Sequence, residues 1–121
     1  MQSVELSYEG SAVPTLLGTD CATEMQRALA ALEPAVDKFF VCSDADIWSL
    51  CGGAELFDAE ALGAPVEAVM MGKGEEEKSV ETLLAMTQRC FGGGVSKRSV
   101  VVAFGGGVVL NVAGRMAALM Y

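Results

Sequence analysis

A run of mostly β-branched residues, Ser99-Val100-Val101-Val102-Ala103-Phe104, leads directly into Gly105-Gly106-Gly107 and then into a helix-compatible stretch, Val108 to Met120. Few folds use that order. A strand without polar alternation expects cover on both faces, as in a parallel sheet. Glycines between such a strand and a helix let a ligand or a second backbone come close. The helix start beyond them offers unpaired N–H groups and a partial positive charge. The pattern predicts a strand at a sheet centre over 99–104 and a final helix over 108–120. Two readings of the glycines are open, a tight packing turn and a phosphate-binding turn. The dinucleotide fingerprint G-x-G-x-x-G is not met, because its third glycine would fall at Leu110.

The rest of the chain supports an α/β reading. Val4 to Tyr8 and Ala12 to Leu17 read as short strands around a Glu9-Gly10-Ser11 turn, with Pro14 marking the second as an edge strand. Ala22, Met25, Leu29 and Leu32 recur at helical spacing after a cap at Thr19 or Asp20, and Pro34 is expected to end that helix. Lys38 to Cys42 reads as a buried parallel strand. A polar turn over Ser43 to Asp46 follows, then short helices over Asp46 to Leu50 and Ala54 to Leu62. Pro65 to Met71 is the next strand. Val80, Leu83, Leu84, Thr87 and Phe91 then mark one face of an amphipathic helix that Gly92-Gly93-Gly94 stops. Helices alternating with strands predict an open α/β sheet of the Rossmann-like, nucleotide-binding kind.

Composition narrows the class of function. At 121 residues the chain is expected to form one domain. Its formal charge of −8 disfavours contact with phosphate backbones, so nucleic acid is not an expected partner. No apolar stretch is long enough to span a membrane, and no leader-like segment opens the chain, so a soluble cytoplasmic protein is expected. There is no histidine among the residues, which removes the commonest general base and metal ligand. The four cysteines, Cys21, Cys42, Cys51 and Cys90, form no C-x-x-C pair and read as free or buried thiols rather than a zinc site.

Candidate site residues follow from placement. Asp44 comes just after an apolar strand, on the edge where open α/β sheets bind ligands; it reads equally as a ribose-binding carboxylate or a helix N-cap. Gly74-Glu75-Glu76-Glu77-Lys78 opens a helix and reads as a solvated first turn or a binding segment. Trp48 and the methionines read as packing residues.

Taken together, Gly74-Glu75-Glu76-Glu77-Lys78-Ser79 resembles the G-E-x-x-K-[ST] segment of the 3-dehydroquinate synthase superfamily. Arg98 through Val109 resembles the strand–triple-glycine segment of the same superfamily, and Asn111 through Tyr121 continues the likeness. The resemblance runs in order along the whole chain.

The resemblance implies a sugar-phosphate cyclase. Such enzymes use NAD catalytically: they oxidise the substrate transiently, eliminate phosphate, reduce the ketone again, and close a carbocycle by an intramolecular aldol step. A divalent metal, zinc or cobalt, assists. Carried over by position, Asp44 and Glu75 are similar to carboxylates that bind ribose, and Lys78 to the lysine beside cofactor and substrate. Gly105, Gly106, Gly107 and Val108 are similar to the pyrophosphate turn. Asn111 stands near the nicotinamide end, where quinate-pathway members carry Asp. Asn111-Val112-Ala113-Gly114 is similar to the branch that cyclises glucose 6-phosphate, whereas Leu110 is similar to the branch that cyclises sedoheptulose 7-phosphate; glucose 6-phosphate is the expected substrate. Residues 1–121 are expected to be an incomplete N-terminal, NAD-binding domain. The C-terminal helical domain with the metal ligands is expected outside this chain, on a second polypeptide that completes the enzyme. Two alternatives are a truncated, non-catalytic paralogue acting as a structural or regulatory subunit, and a fragment of a single-chain enzyme.

Overall fold

The structure, a computed structural model, describes residues 2–8, 11–72, 74, 76 and 79–121, with only the backbone of 2–8, 11–14 and 16. The chain opens with an antiparallel hairpin, β1 (Gln2–Tyr8) and β2 (Ser11–Leu17), in which Glu5 pairs with Pro14. Glu9 and Gly10 of the expected turn lie outside the described residues; Ser11 is already in β2.

Helix α1 (Ala22–Ala30) follows. Its N-cap is Cys21 rather than Thr19 or Asp20, and no side chain caps it. Asp20 instead takes a left-handed turn, with φ 53°. The helix ends at Ala31, short of Pro34, which leaves Leu32 outside the helix and exposed.

The body of the fold is a three-stranded parallel sheet of β3 (Phe39–Asp44), β4 (Val66–Met71) and β5 (Val100–Ala103), in the order β4-β3-β5. The expectation of β5 at a sheet centre is corrected: β3 is central, and β5 is an edge among the described strands. The Val-rich run has a different cause. Both faces of the sheet are covered, so alternation disappears even at the edge. Val101 and Ala103 pack into one apolar cluster, with Phe40, Cys42 and Val69. Val100, Val102 and Phe104 pack into the other, with Phe39, Val41 and Phe57.

Two layers of helix provide that cover. Between β3 and β4 lie α2 (Ala45–Leu50) and two single-turn helices, α3 (Gly53–Leu56) and α4 (Ala59–Leu62). The sequence predicted one helix over 54–62; Asp58 divides it by capping α4 through its own carboxylate. Phe57 and Leu62 from this region enter the cluster beneath Phe39. Gly53 is there because a Cβ would lie 2.4 Å from the Trp48 indole.

The opposite face carries α5 (Val80–Gly92) and α6 (Gly107–Met120). The buried face of α5 differs from the predicted one. Met86, Thr87 and Cys90 are buried, while Val80, Leu84 and Phe91 are exposed. Two apolar stripes overlap on this helix, sharing Leu83 and Thr87. The sheet selects the one bearing Met and Cys, which fill the space over Phe40 and Val69. Thr87 is tolerated there because its hydroxyl donates to the Leu83 carbonyl at 2.7 Å.

Candidate functional site

The strand order decides where a ligand can sit. From β3 the chain moves to β4 on one side, then returns past β3 to β5 on the other. Connections that leave a strand in opposite directions open a crevice at the carboxyl ends of the strands. A cleft of about 260 Å³ lies there.

Three strand ends build it. The first is the tip of β3. Asp44 is the last residue of the strand and also the N-cap of α2, its Oδ1 accepting the Ile47 N–H at 2.9 Å. Both readings of Asp44 are therefore spatially compatible. It caps a helix and it lines the cleft, half-buried. A carboxylate has lone pairs left after one capping bond.

The second is the end of β4, where Gly72 and Gly74 line the cleft. Gly74 has φ +95°, and a Cβ there would collide with the Glu76 carboxylate at 2.6 Å. Glu75 and Lys78 lie outside the described residues.

The third is the triple-glycine turn after β5, whose members divide by role. A Cβ on Gly105 would lie 2.9 Å from Val109 Cγ2, so this glycine serves packing of the turn against its own helix, and it does not line the cleft. A Cβ on Gly106 or Gly107 would meet nothing within 4 Å. Their φ values are not in the left-handed region, so neither backbone strain nor internal packing calls for glycine. What their bareness keeps clear is the cleft, which they line with Val108 and Val109.

The start of α6 contrasts with the other helix starts of the sheet. Asp44 caps α2, Asp58 caps α4 and Ser79 caps α5. Helix α6 begins at Gly106 with no side-chain cap and no acidic residue in its first turn. Its leading N–H groups have no carbonyl one turn earlier in the helix, and its dipole adds partial positive charge. A 14-residue helix thus presents an uncompensated N-terminus to an open cleft opposite a carboxylate.

Of the predicted residues, the fold brings Asp44, Gly106, Gly107 and Val108 together. Asn111 lies one turn further along α6, exposed and outside the lining. Sequence reasoning missed Ile47 and Val109, the apolar walls. The only signal for Ile47 was its position three residues after the cap. Among the described residues no helix is long and apolar enough to cross a membrane. All four cysteines are free thiols. Burial pushes Cys42 up to about 12 and also raises Cys90, so neither is a thiolate near neutral pH.

The sequence profile of the 3-dehydroquinate synthase N-terminal family matches residues 68–121. The 2-deoxy-scyllo-inosose synthase of Streptomyces fradiae is 36% identical over 121 residues, covering 100% of this chain and 28% of that protein. The chain belongs to the 3-dehydroquinate synthase superfamily. The 3-dehydroquinate synthase of Pelotomaculum thermopropionicum is another superfamily relative, 31% identical over 98% of this chain and 32% of its own length. A crystal structure of 2-deoxy-scyllo-inosose synthase complexed with carbaglucose-6-phosphate, NAD+ and Co2+ superposes with a TM-score of 0.81 at 25% identity, over 98% of this chain and 32% of that one. The α/β sheet is thus a portion of the superfamily fold. The chain spans about three tenths of the length of the curated relatives it matches.

Proposed function

We propose that this chain is the NAD-binding part of a sugar-phosphate cyclase of the 2-deoxy-scyllo-inosose synthase type, with glucose 6-phosphate as the substrate. The observation that carries the reading is the cleft itself: a bare helix N-terminus faces a strand-tip carboxylate across space that glycines keep open. A dinucleotide has the matching chemistry, an anionic pyrophosphate and, one linkage away, a ribose diol that donates hydrogen bonds.

The residues present fit that group. The N–H groups of Gly107, Val108 and Val109 would hold the pyrophosphate, and Asp44 would accept from the ribose. Ile47 and Val109 would exclude water from the wall. Glu75 is proposed as a second ribose carboxylate, Lys78 as the cation beside substrate and cofactor, and Asn111 as a contact at the nicotinamide end. The cofactor, when bound, would accept a hydride from the substrate and return it. A divalent metal, zinc or cobalt, fits the relative crystallised with Co2+. Its ligands are assigned outside this chain, which has no histidine and, among the described residues, no cluster of three potential ligands. A second polypeptide carrying the metal-binding part is the proposed partner, and the assembled enzyme is proposed to act in the cytoplasm.

The test is calorimetric titration of NAD+ into the assembled protein, alongside phosphate release from glucose 6-phosphate. Asp44→Ser preserves the cap but removes the carboxylate. Asp44→Ser is expected to weaken NAD+ binding about tenfold, the scale of one charged hydrogen bond. Binding that is indifferent to both Asp44→Ser and a blocked glycine turn would overturn the reading. Faster phosphate release from sedoheptulose 7-phosphate would redirect the substrate assignment.

A further inference from the structure

The sheet has one edge that the chain does not cover. β5 pairs with β3 and with no other strand among the described residues. In that pairing the Val100 N–H donates to Lys38 O at 3.0 Å and the Phe104 N–H to Cys42 O at 2.8 Å. Alternate residues of a strand point their backbone groups to opposite sides, so the N–H and C=O of Val101 and Ala103 face away from β3. An open edge made of valines, with no lysine, proline or bulge, is a template for another strand.

Helix α6 continues that edge. One side of it faces α5, because Val112 and Arg115 share a small groove with Ser79, Val80 and Leu83. Val109, Val112, Ala113 and Met116 face the sheet. On the side away from α5, Leu110, Gly114, Ala117 and Tyr121 recur at i, i+4, i+7 and i+11. The Tyr121 hydroxyl donates to the Ser99 carbonyl at 2.9 Å, which fixes this side of the helix beside β5. Leu110 is 53% exposed and Tyr121 57%. The stripe carries no charge.

Crossover geometry identifies the occupant. Helix α5 takes the chain from β4 past β3 to β5, lying on the face with Phe40 and Cys42. Helix α6 lies on the same face. Parallel crossovers in one sheet share a right-handed sense, so two on one face must progress in the same direction. The strand that succeeds α6 in this fold therefore belongs outside β5.

We infer that the free edge of β5 and the Leu110–Gly114–Ala117–Tyr121 side of α6 are one docking surface, which receives a parallel strand and its helix from the polypeptide completing the superfamily fold. The inference rests on the proposal that a second chain supplies that remainder. The argument for this occupant is that 98% of this chain superposes on a structure of which it covers only 32%, so the same sheet exists there within a much larger body. Edge pairing supplies main-chain hydrogen bonds, and the small side chains of Gly114 and Ala117 let a helix come close.

The test co-expresses this chain with the part of the Streptomyces fradiae relative that lies outside the matched segment, and measures complex formation by sedimentation. Gly114→Glu is the main variant. A Cβ at Gly114 meets nothing within 4 Å, so the chain alone should keep its thermal midpoint while docking weakens about 100-fold. Val101→Pro, which removes an outward N–H and spares the β3 ladder, should do the same. Arg115→Glu, on the α5 side, should leave docking intact. Failure of the wild-type pair to associate, association indifferent to Gly114→Glu and Val101→Pro, or a homodimer of this chain broken by those variants would each overturn the inference. NAD+ titration of the same samples separates the two ideas. Docking with this mutational pattern but no NAD+ binding would sink the cofactor reading alone; NAD+ binding without docking would sink the surface alone.

Discussion

The two ends of the parallel sheet are built on opposite rules. At the amino ends of the strands every described polar group is tied to another. Asp37 accepts hydrogen bonds from the Ser96 and Ser99 hydroxyls, and its N–H donates to Arg98 O. Ser99 Oγ also accepts the Ser96 N–H, while the Ser99 carbonyl takes the Tyr121 hydroxyl. Lys38 bridges Glu67 and the Gly93 carbonyl and lies over the Phe40 ring. At the carboxyl ends, glycines hold space open, a helix starts without a cap, and one carboxylate stands at the rim. A saturated polar network stabilises; an unsaturated one, kept accessible, binds.

That contrast gives substitutions of opposite signature. The largest separation is expected from Gly107→Glu at the open end. A carboxylate in the first turn of α6 suits the helix dipole, so the thermal midpoint should hold or rise slightly. The same side chain occupies the cleft and repels an anion, so NAD+ affinity should fall about 100-fold, or roughly 2.7 kcal/mol, by calorimetry. A parallel fall in stability and binding would erase the distinction between the ends.

At the closed end, Ser99→Ala should show the reverse. Ser99 is 6% exposed and joins Asp37 to the Ser96 N–H. Removing its hydroxyl leaves partners short of a bond, at a cost of about 1–3 kcal/mol in urea unfolding, with NAD+ affinity unchanged.

Asp44 lies where the two rules meet, and two substitutions separate its roles. Asp44→Ala should lose about 1 kcal/mol more stability than Asp44→Ser, since only serine restores the cap to Ile47. Both should lose NAD+ affinity to the same degree. Equal stabilities would mean that the cap contributes nothing.

The smallest effect is a pH dependence at the closed end. Hydrogen bonds from Ser96, and then Ser99, hold the Asp37 carboxyl below its ordinary value of 3.8. A carboxyl with a depressed folded pKa stabilises the fold above 3.8, and that contribution disappears as the pH falls through the lower, folded value. Thermal midpoints recorded from pH 6 to pH 3 should therefore converge for wild type and Asp37→Asn at the acid end and separate above it.

Much of this was legible in the primary structure because it depends on local pattern. The strands at 39–44, 66–71 and 100–103, the helix over Val80–Gly92 and the glycine turn all follow from short-range periodicity and backbone freedom. Asp44 was recognisable from its place after an apolar run. Other features were not. Either apolar stripe of α5 could have been buried, and only the shape of the space above Phe40 and Val69 selects Met86 and Cys90. The three glycines look identical in sequence; the approach of Val109 assigns Gly105 to packing and leaves Gly106 and Gly107 to the cleft.

What the amino acids determined by themselves was which segments are strand or helix and which positions must be small, since those depend on neighbours within a few residues. What only the tertiary structure decided was that β3 is central and β5 peripheral, and hence that the crevice lies between Asp44 and the start of α6. Strand order is set by crossover direction and by contacts between residues about sixty positions apart, and no local pattern encodes them.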